Sequence, residues 1–103
     1  FDNGYIQSDT AYCHNNRLWE LRGRVVIRNR QGTVFRSEEF FWDMEEHEVY
    51  SNLYVSITEP QRNINGYNFR SNEDMTRYII YNSDGYLPAS DMETTPKDSA
   101  NVN

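Results

Sequence analysis

A chain of 103 residues with eight Tyr, five Phe and two Trp and a formal net charge of −6 suits one domain with a modest core. Nine Arg, a single Lys and sixteen acidic residues exclude the basic footprint of a nucleic-acid binder and disfavour loose adsorption to anionic membranes. Cys13 is the only cysteine, so an internal disulfide and a thiolate metal set are excluded. No run approaches the ~18 apolar residues of a membrane helix, and no signal-peptide pattern is present.

Aromatic, Val and Thr residues are frequent and Ala is scarce, a balance that favours strands over helices. Phe1-Asp2-Asn3-Gly4 resembles a hairpin turn, which places further chain before Phe1 in the native protein. A first strand is expected over 5–12, followed by the turn His14-Asn15-Asn16. Leu18 to Arg28 is the clearest element. Trp19, Leu21, Gly23, Val25 and Ile27 alternate there with Glu20, Arg22, Arg24, Val26 and Arg28, as in a strand with one apolar and one Arg-rich face.

Arg30-Gln31-Gly32 turns the chain into a strand over 33–42. Phe35 lies on one parity there and Phe40 and Trp42 on the other, which predicts a bulge or bend at 37–39. After the turn at 43–46, a strand over 49–59 carries Val49, Leu53, Val55 and Ile57 on one parity. Pro60 ends it, because proline cannot donate to a ladder. Strands over 64–70 and 76–82 follow, separated by Ser71-Asn72-Glu73-Asp74, and Ser83-Asp84-Gly85 makes the last turn. Residues 1–88 form the β domain and 89–103 a polar tail without enough large apolar side chains to offset its ordering entropy.

A spacing of 29 residues runs through these elements. Ser8, Ser37 and Gly66 form one series, Ala11, Phe40 and Phe69 a second, Leu21, Tyr50 and Ile79 a third. The pairs Val25/Ile27 and Val55/Ile57 are 30 apart, which predicts a second bulge. Stacked units of this kind bury a continuous core only by pairing with their neighbours. Short turns between consecutive strands impose antiparallel pairing, since parallel strands need long crossovers. The expected fold is all-β: an open, twisted antiparallel two-sheet jelly-roll, a folded ribbon built from hairpin repeats.

Leu18-Trp19-Glu20-Leu21-Arg22-Gly23-Arg24-Val25-Val26-Ile27, Ser37-Glu38-Glu39-Phe40-Phe41-Trp42-Asp43, Val49-Tyr50-Ser51-Asn52, Val55-Ser56-Ile57-Thr58 and the run from Gly66 to Asp74 occur in order. This series resembles the LptC family of lipopolysaccharide export proteins over roughly 4–88, with similarity to the related LptA fold. The resemblance implies a non-enzymatic component, without cofactor or metal, that holds acyl chains of lipopolysaccharide in an apolar groove. It passes them from the inner-membrane ABC transporter complex to a periplasmic bridge protein, LptA. It also implies a periplasmic domain anchored in the inner membrane by an N-terminal helix that this sequence lacks.

Groove lining falls to Trp19, Leu21, Val25, Ile27, Phe40, Trp42, Val55, Ile57 and Phe69, the inward residues of the proposed ribbon. The competing reading of the same side chains is a packed core, as in a structural or adhesive β-repeat module that assembles through its edges. Edge strands for partners, or for self-association, are assigned to Tyr5 and Ile6 at one end and Tyr78, Ile79, Ile80 and Tyr81 at the other. Arg22, Arg24, Arg28 and Arg36 are candidates for lipid phosphates, against solvated pairs with Glu across strands. The run from Asp43 to Glu48 reads as a solvated turn, because consecutive turn side chains splay apart and do not converge on a cation.

Overall fold

The computed structural model describes residues 4–82 and 85–87; the expectations for residues 1–3, for Ser83 and Asp84 and for the tail lie outside them. Nine strands run in order: β1 Tyr5–Gln7, β2 Thr10–His14, β3 Leu18–Arg28, β4 Val34–Asp43, β5 Glu48–Ser51, β6 Val55–Glu59, β7 Arg62–Asn72, β8 Tyr78–Asn82 and β9 Gly85–Leu87. All pair antiparallel within one sheet. The protein is an all-β antiparallel ribbon of the jelly-roll kind.

Long strands β3, β4 and β7 organise it, because each changes neighbours partway along. β3 pairs first with β2 and then with β1; β4 pairs with β6 near its start and β5 near its end; β7 does the same. Two leaves of one sheet result. One holds β2, β5 and the strand halves beside them, the other β1, β6 and the remaining halves. The sheet folds along the crease between them. Phe35 of the second leaf meets Tyr78 of the first edge-on, ring centres 5.1 Å apart. The Tyr78 hydroxyl also donates to Glu59 at the far end of β6.

Residues with unusual backbone or little bulk make the crease. Gly23 and Arg24 have φ of +80° and +47°, and Asn68 in β7 has +56°. Asp9, between β1 and β2, donates its amide to the Gly23 carbonyl at 2.9 Å and accepts the Arg24 guanidinium at 2.7 Å. Ser37 Oγ donates to the Tyr54 carbonyl at 2.8 Å. Gly66 is a steric necessity, since a Cβ there would stand 2.1 Å from the Tyr81 carbonyl oxygen.

The expected bulge is displaced. The extra residue sits on β3 between Arg22 and Val25, with a second irregularity on β7 between Tyr67 and Arg70, not on β4 at 37–39. The parity switch in β4 is nevertheless real: Phe35 and Phe40 are both fully buried because β4 crosses the crease between them. The strands expected over 5–12 and 49–59 are each broken at the crease into two. Leu53, expected inward with Val55, falls in that break and is 42 % exposed.

Turn chemistry follows the sequence closely. Asn15 and Asn16 both have φ of +54°, left-handed positions in the three-residue loop between His14 and Leu18. β2, β4 and β7 end at His14, Asp43 and Asn72, 29 residues apart in each step. Pro60 and Gln61 alone join β6 to β7, with Glu59 opposite Arg62.

Candidate functional site

The buried apolar cluster of the described residues lies between the leaves, and its members come from both. Leu21, Val25, Ile27, Phe40, Val55, Ile57 and Phe69 all face into it at 5 % exposure or less. Trp42 is half-buried against the same cluster, and Trp19 opposite it in register is also half-buried. Eight of the nine residues expected to line a groove therefore belong to one cluster or pack against it; Trp19 is outside that cluster. The cluster also holds Phe35, Val49, Ile64, Met75, Tyr78 and Ile80, which that expectation omitted. Phe35, Phe40, Phe69 and Tyr78 form a chain of tilted and edge-on rings. Edge-to-face rings add specific attraction to their area burial. The middle of the interior is filled by the protein's own side chains.

A mouth lies where the leaves part. Tyr5 and Ile6 of β1, Trp42 of β4, and Glu73 and Asp74 of the turn after β7 line a cleft of about 500 Å³, within the range usual for small-ligand pockets. The Trp42 indole N–H donates to Glu73 Oε2 at 2.8 Å, and the His47 ring nitrogen Nδ1 donates to Glu73 Oε1 at 3.1 Å. The indole N–H first, and His47 second, hold the Glu73 carboxyl below the ordinary carboxylate range. A second hollow, of about 580 Å³, sits at the crease beside Val26, Leu53, Tyr54, Arg24 and Arg36.

The turn at 73–77 closes one side of the mouth. Asn72 organises it: its side-chain oxygen accepts the amides of Thr76 and Arg77 at 3.0 and 3.1 Å, and its carbonyl accepts that of Met75 at 3.1 Å. Across the gap, Asn29 Nδ2 donates to the Met75 carbonyl at 2.8 Å, while Asn29 Oδ1 accepts the amides of Gln31 and Thr33. Asn29 is buried and fully engaged, so it ties the two leaves together at this point.

The edges differ from expectation at one end. Tyr5 and Ile6 do lie on an outer strand and are 48 % and 37 % exposed. Tyr78 and Ile80, assigned to the other edge, instead face the core, because strand alternation sends them inward while Ile79 and Tyr81 face out. β9 pairs with β8 over Ile80 to Asn82, so the terminal strand at that end is β9.

Charged side chains outside the interior are mostly paired. Arg22 bonds Glu20 and Glu39, Arg24 bonds Asp9, and Arg70 reaches Glu48 at 3.6 Å. In the acidic turn, Asp43 accepts the amides of Glu45 and Glu46, Glu45 pairs with Arg17, and Glu48 turns to Arg70. These carboxylates diverge to separate partners. Among the described residues no helix is long and apolar enough to cross a membrane.

An antiparallel ribbon folded around an apolar interior, with β1 and β9 at its ends among the described residues, is an all-β fold of the jelly-roll kind. Residues 4–83 match the family model described as "Lipopolysaccharide-assembly, LptC-related", and the chain belongs to that family. It is thereby a component of periplasmic lipopolysaccharide transport, a family known for transport and not for catalysis. No curated protein and no solved structure matches the chain.

Proposed function

We propose that the interior between the leaves receives the acyl chains of lipopolysaccharide and that the ribbon passes them along its length. The observation that carries this reading is the cleft between Tyr5, Ile6 and Trp42, which opens beside the continuous apolar cluster. Each methylene moved out of water contributes ~0.8 kcal/mol, so partial coverage of each chain suffices for transfer. An apolar lining without fixed polar contacts lets a chain slide between equivalent positions. Energy comes from the ATPase of the inner-membrane transporter complex, which meets the β1 edge; β9 offers the other edge to the bridge protein LptA, each by strand addition. The native protein is held at the inner membrane by an anchor N-terminal to this chain.

Full burial of Val55, Phe40 and Phe69 favours a second reading, a structural module with a permanently packed interior that assembles through its edges. Equilibrium binding of purified lipopolysaccharide separates the two. Ile6→Glu sets a charge in the mouth at a position already 37 % exposed, where it leaves the fold intact. On the lipid reading affinity falls by about tenfold or more, because the charge must be desolvated beside an acyl chain. Equal affinity of the variant and the parent, or no binding by either, contradicts it.

A further inference from the structure

Met75 is the anomaly of this molecule. It lies in a turn of otherwise polar residues, yet its side chain is fully buried in the core between the leaves. Its φ is +61°, a left-handed conformation that a long, unbranched side chain rarely adopts. Such strain persists only where the surroundings over-determine it, and it concentrates at ligand clamps and switches. The surroundings here are specific: Asn72 accepts the Met75 amide from one side, and Asn29 of the other leaf holds its carbonyl at 2.8 Å. Glu73 and Asp74, its immediate predecessors, line the cleft at the mouth, and Glu73 is tethered to Trp42 and His47.

We propose that Met75 is a displaceable plug, filling from the turn at 73–77 the part of the interior that the end of an acyl chain occupies when lipid is bound. This rests on the lipid reading above and adds the element that must move. Three features fit a plug better than a permanent core residue. A thioether side chain with three rotatable bonds fills irregular space and leaves it readily. The strained backbone favours withdrawal, since relaxing φ accompanies it. Apart from the bonds that Asn72 makes at the base of the turn, the ties from other elements are a few side-chain hydrogen bonds, from Asn29, Trp42 and His47. The packed interior and the acyl-chain site are then one place, occupied in turn by Met75 and by lipid.

The test combines two measurements on the whole chain with purified lipopolysaccharide as the probe. The first is affinity. Met75→Gly removes the plug while keeping a residue at ease with positive φ, and its expected affinity is about tenfold tighter than the parent's, since the lipid no longer competes with a side chain for the space. Asn29→Ala, which unhooks the turn, shifts affinity in the same direction. The second is amide hydrogen exchange on the unaltered protein. Lipid is expected to speed exchange at Met75, Thr76 and Arg77, whose amides bond Asn72 in the closed turn, while β3 and β4 stay protected. Lipid that binds with those amides unchanged or slowed, and with Met75→Gly no tighter than the parent, overturns the plug and leaves the lipid reading standing. No binding by any variant overturns the lipid reading and the plug with it.

Discussion

Single residues decide how the crease and mouth hold. Glu73 gives a pH dependence whose sign is fixed by its partners. Its carboxyl is held below its ordinary value of 4.5 in the folded protein, so the stability it contributes is fully present above that value and is lost as pH falls through the lowered one. Acidification below the ordinary carboxylate range is expected to release the Trp42 indole, seen as an emission change in a Trp19→Phe background. Glu73→Gln abolishes that step; a change that persists in the variant belongs to another group. Gly66 is the complementary case. Gly66→Ala drives a methyl into the Tyr81 carbonyl, and the backbone must move because the obstacle is not a flexible side chain. The variant is expected to be destabilised by about 1–3 kcal/mol in urea unfolding, the usual cost of overpacking. An unchanged midpoint contradicts the close approach.

Strands and turns were unequally legible. Leu18–Arg28 has the bounds expected from strict alternation, and the polar turns at 14–16, 43–46 and 72–74 fall where the strands end. Breaks between β1 and β2 and between β5 and β6 were missed because apolar parity runs straight through them; Leu53 shares parity with Val55 although the crease turns it out. The extra residue on β3 was hidden because Gly23 fits an alternating pattern and its left-handed backbone has no sequence mark besides glycine itself. Inward residues could be named because period 2 sorts faces, but whether that interior is open or filled depends on leaf separation, which no pattern encodes. Met75 did carry one signal, a large apolar residue alone among Asn72, Glu73, Asp74 and Thr76. Among the described residues β1 is a terminal strand, and Tyr5 and Ile6 on it are exposed, as in an edge that can template another strand. Concentration-dependent dimerisation in sedimentation is expected, weakened by Tyr5→Lys, since edge lysines oppose strand addition. A monomer at every concentration removes the edge as a self-association site.

For the whole molecule, the leaves share one core, so stability and lipid capacity draw on the same side chains. Phe69 touches Phe35, Phe40 and Tyr78 and is fully buried. Phe69→Ala is therefore expected to cost about 3–5 kcal/mol of unfolding free energy, the usual range for an aromatic deleted from a core. A loss under about 1 kcal/mol would mean that the interior is loosely packed even without lipid. Extents of 47 × 30 × 23 Å make the molecule an elongated body.

On the proposed reading, acyl chains occupy the space between the leaves. Photo-crosslinking in membranes tests this, with a photoreactive residue placed in turn at half-buried Trp19 and at Phe40 and Val55 in the core. Adducts with lipopolysaccharide are expected at the inward positions and none at the outward Arg36. A folded protein that gives no lipid adduct at Trp19, Phe40 or Val55 contradicts it.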